Sequence, residues 1–302
     1  MPRIVVIGSS NTDMVIRLER IPRPGETVLG GEFLIAAGGK GANQAVSAAR
    51  AGGKVTFVAR VGRDVFGDQA LTGFRRDRIN VDYITRDAKT ASGVALIFVA
   101  QGGQNSIAVA GGANTRLLPA DVRRARKAMM GADALLMQLE TPLKTVLEAA
   151  QMAHRAKVRV ILNPAPACAL PAKLLGLISI LTPNETEAEI LSGVRVTDRN
   201  SATRAADRLL ARGVRNVIIT LGAQGALVAT ADSKQMVSGI KVKAVDCTAA
   251  GDVFNGALAV AISEGKSLVE AARFANVAAA ISVTRPGAQP SAPYRKEINA
   301  LL

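Results

Sequence analysis

Residues 246–252 read Asp-Cys-Thr-Ala-Ala-Gly-Asp, and the apolar pattern of a helix follows them over residues 254–262. Residues 241–245 alternate in polarity and predict a strand just before this stretch. We therefore expect a strand-to-helix junction with Asp252 in the first helical turn. Helix N-termini carry unpaired N–H groups and a partial positive charge, so a phosphoryl oxygen can approach the backbone of three small residues there, Ala249, Ala250 and Gly251.

Asp252 has two interpretations at this point. A carboxylate held beside an anion pocket can accept the proton of an alcohol that attacks a phosphate. An Asp in the first turn can also serve only to stabilise a helix N-terminus. The stretch by itself leaves both interpretations open.

A second cluster of small residues, Ala-Gly-Gly-Lys-Gly-Ala-Asn at 37–43, precedes a helical pattern at 44–50. It is not a phosphate-binding P-loop, because Lys40 is followed by Gly41 rather than by Ser or Thr. The first strand, at 4–7, also lacks the glycines of a dinucleotide-binding turn. Glycines at such a junction are either structural or let the backbone approach a ligand with many hydroxyls, whose polar contacts we would assign to Asn11, Asp13, Lys40 and Asn43.

Eight segments in a consistent order resemble one family. They are Asn11-Thr-Asp13, Gly38-Gly-Lys-Gly-Ala-Asn43, Met137-Gln-Leu-Glu140, Asn163-Pro-Ala-Pro166, Pro183-Asn-Glu-Thr-Glu187, Thr220-Leu-Gly-Ala-Gln-Gly225, residues 246–252 and Gly287-Ala-Gln289. Together they resemble the pfkB-type carbohydrate kinases, the family of ribokinases, adenosine kinases and fructokinases. The second and third segments resemble the ribokinases more than the other branches.

The resemblance implies a fold. It predicts a single domain over residues 1–302, of class α/β, with three α/β/α layers, a mostly parallel central sheet and a small β-sheet lid. The lid would be built from residues of approximately 14–37 and 91–112. In the family this lid covers the sugar and pairs with a second subunit, so the resemblance also implies a homodimer.

The residue pattern agrees with this fold. Strand-like runs at 135–137, 158–162, 178–181 and 217–220 each precede a loop and an expected helix, as in a parallel sheet. Within the second lid segment, the apolar runs 94–99 and 106–109 flank a turn containing two glycines, as the strands of a hairpin do.

The resemblance also implies how a sugar is bound and activated. Asp252 would deprotonate the 5-hydroxyl of the sugar, with residues 249–252 as the anion hole. Carboxylates and amides can share the paired hydroxyls of a pentose. The expected sugar-binding residues are Asn11, Thr12, Asp13, Gly39, Lys40, Gly41, Ala42, Asn43, Glu140 and Asp252.

For the nucleotide, the resemblance implies that Asn184 and Glu187 organise the phosphates of ATP and its Mg²⁺. A single carboxylate is sufficient, because Mg²⁺ usually keeps several waters. The same two residues also fit a helix capping box, and both roles can hold together. The other expected nucleotide contacts are Thr220, Leu221, Gly222, Ala223, Gln224, Gly225, Gly251, Asp252 and Asn276.

A monovalent cation, K⁺ by the resemblance, would bind beside the anion pocket, mostly through backbone carbonyls of Asp246, Thr248, Ser282, Arg285, Gly287 and Ser291. The family usually has Thr where this chain has Cys247. A thiol is a weaker hydrogen-bond donor than a hydroxyl. We expect this departure to affect the rigidity of the loop and its cation affinity, and to leave Asp252 unaffected.

Charge and composition restrict the partners. The net charge is +14, and residues 123–127 form a basic cluster, but only 3% of residues are aromatic and none is Trp. Stacking platforms for nucleic acid are therefore scarce, and we expect the cluster to be a solvated helix face. The N-terminus lacks a signal-peptide pattern, and Cys168 and Cys247 have no metal or disulfide spacing. We expect a cytoplasmic protein with no nucleic-acid or membrane partner, and the lone His154 at its surface.

The sequence thus predicts ATP-dependent phosphorylation of D-ribose at the 5-hydroxyl, giving D-ribose 5-phosphate and ADP. One alternative is a kinase of the same family for 2-deoxyribose or another small sugar or nucleoside. An alternative from another class is a non-catalytic sugar-binding regulator. The combination of Asp252 with a phosphate pocket disfavours this second alternative, because binding alone requires no base.

Overall fold

Thirteen strands form two sheets in a computed structural model that describes residues 1–302. In chain order the strands are β1 (Arg3–Ile7), β2 (Asn11–Leu18), β3 (Glu32–Gly38), β4 (Lys54–Gly62), β5 (Ile84–Asp87), β6 (Gly93–Ala100), β7 (Asn105–Ala110), β8 (Ala134–Met137), β9 (Arg159–Leu162), β10 (Ile180–Leu181), β11 (Val217–Thr220), β12 (Gly225–Ala229) and β13 (Lys234–Ser238). The larger sheet has the order β13-β12-β11-β10-β9-β8-β1-β4-β5, and the smaller one has the order β3-β2-β6-β7.

Eleven α-helices connect and cover these strands. They are α1 (Lys40–Arg50), α2 (Val65–Arg76), α3 (Pro119–Arg124), α4 (Arg126–Met130), α5 (Leu143–Arg155), α6 (Ala172–Leu175), α7 (Glu185–Ser192), α8 (Arg199–Ala211), α9 (Ala250–Ser263), α10 (Leu268–Ser282) and α11 (Arg295–Asn299). Two 3₁₀ turns lie at Gly112–Arg116 and Gly222–Gln224.

Strand β1 shows why helices cover both faces of the larger sheet. Ile4 and Val6 join an apolar cluster with α1, α9 and α10, whereas Val5 and Ile7 join a second cluster with α5 and α8. Successive side chains of a strand point to opposite faces, and all four of these are at most 2% exposed. Burial on both faces is typical of parallel sheets in α/β proteins. The predicted three-layer architecture is confirmed.

Most neighbouring strands of the larger sheet are parallel, as predicted. The exception lies at one edge, where β12 is antiparallel to both of its neighbours, β11 and β13. The sequence analysis expected a helix after residues 217–220, and this was wrong. The chain makes a single 3₁₀ turn there and returns as β12, because Gly225 adopts a left-handed φ of 100° that reverses its direction.

The segment before α9 also differs from its prediction. Residues 241–245 alternate in polarity but form no strand. Their backbone has no neighbouring strand with which to pair, and Val245 instead donates its N–H to the carbonyl of Val283. Alternating polarity shows that a segment could form a strand, but the segment also needs the free edge of a sheet with which to pair. The helix that follows, α9, is confirmed.

The small sheet contains the predicted hairpin. Strands β6 and β7 are antiparallel, β2 and β3 are antiparallel, and β2 runs parallel to β6. Strand β2 begins at Asn11, three residues before the predicted first lid segment, so the two polar residues Asn11 and Asp13 belong to this sheet. The small sheet is therefore directly joined to residues expected in the sugar site.

His154 and the basic cluster at residues 123–127 both lie at the surface, as expected. His154 is exposed near the end of α5, and the basic residues of 123–127 are exposed on α3 and α4. Arg123 forms an ion pair with Glu148 at 3.2 Å. None of the helices has both the length and the apolar character that crossing a membrane requires.

Helices α1 and α9 pack closely against each other at Gly256. A Cβ added at Gly256 would lie 2.6 Å from Ser47 Cβ and 2.7 Å from the carbonyl oxygen of Gln44. These distances are shorter than van der Waals contact, so the crossing requires a residue without a side chain.

We expect Gly256→Ala to lower the free energy of unfolding by about 1–3 kcal/mol, because overpacking outweighs the gain of about 1 kcal/mol from the better helix former. Gly73→Ala in α2 is the matched control, since a Cβ there meets no atom within 4 Å, and it should stabilise. Urea unfolding measures both variants. A higher free energy of unfolding for Gly256→Ala would contradict this prediction, because it would show that α1 and α9 can move apart without loss of stability.

Candidate active site

A cavity of about 190 Å³ lies where the carboxyl ends of β9, β10 and β11 meet the N-terminus of α9. Ligands bind at this edge in open α/β sheets. The cavity is lined by Lys40, Asn163, Ala165, Thr182, Asn184, Glu187, Thr220, Ala249, Gly251, Asp252 and Asn255. The structure thus brings together residues that the sequence analysis assigned to the sugar, the nucleotide and catalysis.

The N-terminus of α9 offers two unpaired amides to this cavity. Ala249 has a left-handed φ of 60° and turns the chain into the helix. The N–H groups of Gly251 and Asp252 donate to no oxygen of the protein, as expected for an anion hole. The amide of Ala250 differs from the prediction, because it donates to the carbonyl of Cys247 at 3.3 Å.

Two side-chain amides of α1 hold the Asp252 carboxylate. Asn43 Nδ2 donates to Asp252 Oδ2 at 3.0 Å, and Gln44 Nε2 donates to Asp252 Oδ1 at 2.9 Å. Asp252 is 6% exposed, and Gln44 is fully buried. Burial raises the pKa of Asp252, whereas the charge of Lys40 and the two amide donors lower it, and burial is the largest of these effects. A carboxylate with a raised pKa is a better proton acceptor than one in water.

A buried polar network extends from this carboxylate beneath the cavity. Asn163 Nδ2 donates to the carbonyl of Thr182 at 3.1 Å, and Thr182 Oγ1 donates to Asn255 Oδ1 at 2.6 Å. Asn255 Nδ2 donates to the carbonyl of Gly251 at 2.8 Å, which ties the network to the anion hole. The sequence analysis did not assign Asn163, Thr182 or Asn255 to the site. Asn163 and Thr182 each follow a strand directly, and this position at the sheet edge was the available signal.

Glu140 lies at the N-terminus of α1. Its Oε2 accepts hydrogen bonds from the backbone N–H of Lys40 at 2.9 Å and from the hydroxyl of Ser9. Gly39, the residue before the helix, has no side chain with which to cap it. Glu140 therefore stabilises the helix N-terminus in the way that a capping side chain does, and its second carboxylate oxygen is left for a ligand.

Asp13, near the start of β2, lies close enough to Glu140 and Asp252 for their charges to act on it, whereas Asn11 lines a separate cavity. Asn114 Nδ2 donates to Asn11 Oδ1 at 2.7 Å, so the Asn11 amide nitrogen is left as a donor. Burial, together with the charges of Glu140 and Asp252, raises the pKa of Asp13 from 3.8 to about 6. The protonated, uncharged form of Asp13 is therefore favoured more than that of an Asp in water.

Three other residues expected at the sugar present no free group there. The N–H of Gly41 donates to Ser9 Oγ at 3.2 Å, and the N–H of Ala42 donates to the carbonyl of Ser9 at 2.8 Å. The Ala42 methyl is fully buried in the apolar core. Thr12, like Asn11, lines a separate cavity with Phe66 and Phe74.

Asn184 and Glu187 form a capping box at the start of α7. Asn184 Oδ1 accepts from the Glu187 N–H at 2.8 Å, and Glu187 Oε2 accepts from the Asn184 N–H at 2.9 Å. Both residues also line the cavity. Burial raises the pKa of Glu187, while the Asn184 hydrogen bond and the charge of Lys40 oppose this rise. The two residues therefore cap α7. They also lie beside the cavity, where the predicted contact with the phosphates and Mg²⁺ of ATP would be made.

The remaining nucleotide residues divide into two groups. Thr220 lines the cavity, and residues 222–224 form an exposed turn next to it. Leu221 is 5% exposed in the apolar core and offers no side chain to a ligand. The structure also does not bring Asn276 to the cavity, since its Nδ2 donates to the carbonyls of Val237 and Ser238 at 3.0 and 3.2 Å.

Comparison with known proteins identifies the family. The model of the pfkB family carbohydrate kinases matches residues 1–295. The chain is 48% identical to the ribokinase of Haemophilus influenzae over 294 residues, which cover 97% of this chain and 96% of that protein. The chain belongs to the pfkB family of carbohydrate kinases.

Two further relatives extend this comparison within the pfkB family. A deoxyribokinase of Salmonella typhi is 38% identical over 300 residues, 99% of this chain and 98% of that protein. The structure of an Arabidopsis thaliana ribokinase complexed with ribose and ATP has a TM-score of 0.93 at 34% identity, and the match covers 99% of this chain and 98% of that chain. The predicted enzyme class, a carbohydrate kinase, is confirmed.

The positions predicted for a monovalent cation lie in two loops, except for Ser282, which ends α10. Asp246 joins the two loops. Its carboxylate accepts hydrogen bonds from the N–H groups of Thr248 and Gly287, both at 2.8 Å. Burial alone would raise the pKa of Asp246, but these hydrogen bonds lower it below its usual range. Cys247 is exposed between Asp246 and Thr248 and forms no side-chain hydrogen bond, so the position at which the chain departs from the family pattern contributes nothing to this link.

The side chains of three other positions predicted for the cation are engaged within the protein. The hydroxyls of Ser282 and Ser291 each donate to the backbone carbonyl three residues earlier, and Arg285 pairs with Glu297. No group of three or more His, Cys, Asp or Glu side chains is placed to hold a metal. A cation at these loops would therefore depend on backbone oxygens.

The raised pKa of Asp13 gives a pH-dependent prediction. A carboxyl group whose pKa is higher in the folded than in the unfolded state costs stability as the pH rises from about 4 to beyond about 6. Asp13→Asn removes this cost, so its advantage in the free energy of unfolding over the wild type should grow by about 1–3 kcal/mol between pH 4 and pH 8.

Urea unfolding at pH 4, 6 and 8 measures this advantage. Asp232→Asn, which changes an exposed Asp of the β12–β13 turn, is the matched control and should show no such growth. An Asp13→Asn advantage that is the same at every pH would contradict the shift.

Proposed function

We propose that this pfkB-family enzyme transfers the γ-phosphoryl group of ATP to the 5-hydroxyl of D-ribose, giving D-ribose 5-phosphate and ADP. The observation that carries the proposal is the position of a buried carboxylate, Asp252, in the helical turn whose Gly251 and Asp252 amides are unpaired. The ribokinases among the relatives support ribose as the acceptor and ATP as the donor.

The chemistry follows from this arrangement. Asp252 takes the proton from the 5-hydroxyl of ribose. The oxygen of that hydroxyl forms a bond to the γ-phosphorus of ATP, while the bond from this phosphorus to the bridging oxygen that stays with ADP breaks. The charge on the transferred phosphoryl group lies against the free N–H groups of Gly251 and Asp252. Donors that are already in place stabilise this charge without reorganisation during the reaction. Lys40, which lines the same cavity, adds a positive charge there.

Ribose would occupy the side of Asp252 that faces Asp13, Asn43 and Glu140. Asn43 Oδ1 is buried and accepts no hydrogen bond from the protein. A buried unpaired acceptor costs about 1–3 kcal/mol, and a sugar hydroxyl would remove that cost. Asn11 and Lys40 supply donors, whereas Asp13 and Glu140 supply acceptors, as a polyhydroxylated ligand requires.

Both metal ions of the sequence analysis belong to this proposal. The half-buried carboxylate of Glu187 fits Mg²⁺, which binds few protein ligands and is also held by nucleotide phosphates. For K⁺, the fit lies in the two loops joined by Asp246. The carbonyl oxygens of four residues there accept no hydrogen bond, and these residues are Asp246, Thr248, Arg285 and Gly287. A cation bound there would fix the loop that leads into the anion hole.

A kinase for 2-deoxyribose is the second candidate function. The Salmonella typhi deoxyribokinase, at 38% identity, supports it. The two sugars differ by one hydroxyl, and discrimination depends on whether a buried polar group is left unpaired. A silent sugar-binding regulator is disfavoured, because sugar binding alone requires neither the base nor the free amides.

Substrate preference tests the proposal directly. We expect ribose-dependent release of ADP from ATP and Mg²⁺ to exceed that with 2-deoxyribose, fructose or adenosine, and to be faster in potassium than in sodium. A coupled assay measures ADP with each acceptor in each salt. Preference for 2-deoxyribose would retain the mechanism and change the substrate, and no turnover with any acceptor would overturn the proposed function.

The Asp252→Asn variant tests the base within the same assay. It should lower kcat by about 10²–10⁴-fold while ribose and ATP still bind, as measured by calorimetry. Near-normal turnover would refute the role of Asp252.

The proposal includes a homodimer that forms through the small sheet. Five large apolar side chains of this sheet are 47–59% exposed: Phe33, Ile35, Leu96, Ile107 and Val109. Apolar surface of this kind marks a contact with another molecule, and a second copy would cover it. The proposal also places the enzyme in the cytoplasm, since Cys168 and Cys247 are exposed thiols without a disulfide, as is usual in a reducing compartment.

Ile107→Lys should convert the dimer to a monomer, because a charge in an apolar contact is costly to bury. Light scattering after size exclusion measures the mass. Val65→Lys is the matched control, since Val65 is 59% exposed outside the small sheet, and it should leave the mass unchanged. A wild-type protein that is monomeric at every concentration would contradict the proposed pairing.

A further inference from the structure

A line of buried side-chain amides leads to the Asp252 carboxylate from the far side of the cavity. Gln138, which follows β8, donates through Nε2 to Gln44 Oε1. Gln44, in α1, donates through Nε2 both to Asp252 Oδ1 at 2.9 Å and to Asn163 Oδ1 at 3.1 Å. Gln44 and Gln138 are 0% and 1% exposed. The function proposed above uses Asp252 but assigns no role to either glutamine.

The orientation of each amide in this line is fixed by its partners. If the Gln44 amide were reversed, its oxygen would face the oxygens of Asp252 and Asn163, and its NH₂ would face the donor of Gln138. The orientation of the Asn163 amide is fixed as well, because its Nδ2 donates to the carbonyl of Thr182, which can only accept. Its Oδ1 therefore faces Gln44. The Gln44 donor must therefore point at the carboxylate.

We propose that Gln44 is a positioning residue that fixes the plane of the Asp252 carboxylate for proton transfer, and that Gln138 fixes Gln44. This inference rests on the proposed role of Asp252 as base. Asn43 holds the other carboxylate oxygen, Oδ2, so the two amides together prevent rotation of the carboxylate about its Cβ–Cγ bond. Misplacement of a reacting group by about 1 Å can cost about 10²-fold in rate.

The charged groups around Asp252 do not provide this orientation. Lys40 on α1, Asp13 on β2, Glu140 after β8 and Glu187 on α7 all act on Asp252 through their charges. None of them donates a hydrogen bond to its carboxylate, which only Asn43 and Gln44 contact in this way. A charge sets the strength of the base, whereas a directed hydrogen bond sets its geometry.

Gln44→Met tests the positioning, because methionine has a similar shape and no donor. We expect kcat to fall 10- to 100-fold while the KM values for ribose and ATP change by less than about 3-fold. Ser47→Ala is the matched control one turn later on α1. It removes a buried hydrogen bond between the same two helices, from Ser47 Oγ to the carbonyl of Val253 at 2.9 Å, but does not touch the carboxylate.

Ser47→Ala should keep kcat within about 2-fold of the wild type. Unchanged kcat in Gln44→Met, or an equal loss of kcat in both variants, would overturn the inference. Thermal unfolding of each variant verifies that the assayed protein is folded.

A second measurement requires no turnover. Gln44→Glu keeps the acceptor for Gln138 but places a carboxyl oxygen against Asp252 Oδ1. Two buried carboxyls in contact cannot both be charged, so the melting temperature should fall by about 5 °C or more at pH 8 and by less at pH 5. In an Asp252→Asn background the residue that faces position 44 is an uncharged amide, so the repulsion is absent. We therefore expect Gln44→Glu to lower the melting temperature of the Asp252→Asn variant by much less than it lowers that of the wild type.

The two experiments separate the two proposals. If the wild type phosphorylates no acceptor, the proposed function fails, and the melting temperatures still decide whether Gln44 contacts and orients Asp252. If the wild type phosphorylates ribose and Gln44→Met is fully active, only the positioning role fails. An equal loss of melting temperature by Gln44→Glu with and without Asp252→Asn would show that the contact is absent.

Discussion

The close approach of α1 and α9 is the constraint on which the site depends. Gly256 allows the two helices to touch, and this contact brings Asn43 and Gln44 from α1 within hydrogen-bond distance of Asp252 in the first turn of α9. These residues are more than 200 positions apart in sequence. The same crossing brings the amides of α1 to the helical turn that carries the free N–H groups of Gly251 and Asp252. The apolar packing of two helices therefore sets the geometry of a polar site.

The site concentrates negative charge in a molecule whose net charge is +14. Asp13, Glu140, Glu187 and Asp252 act on one another through their charges, and Lys40 is the cation that opposes them. Burial of such a group is costly unless ligands or hydrogen bonds compensate. The protein retains this cost of burial at its site, while the net positive charge of the whole molecule favours the approach of an anion such as a nucleotide.

Sequence reasoning recovered the α/β class, the small sheet, the helix after residue 252 and the residues around Asp252, because each has a local signal. Helical periodicity, a turn between apolar runs and small residues at a junction are all visible in one stretch of chain. Asn163 had only its position directly after a strand as a signal. Gln44 and Asn255 had none, since a buried amide is recognised only by the partner that folding brings to it. The strand predicted at residues 241–245 was wrong for the same reason, because the availability of a strand edge depends on tertiary structure.

Strand β2 extends without interruption to Leu18 from Asp13, on which the charges of Glu140 and Asp252 act. A single rigid strand thus has its two ends in different environments. If two small sheets pair as proposed, whatever orders the outer end of β2 also orders Asp13, and thermodynamic linkage makes the effect reciprocal. Sugar affinity would then depend on protein concentration: dilution into monomers would weaken sugar binding, and saturating sugar would hold the dimer together.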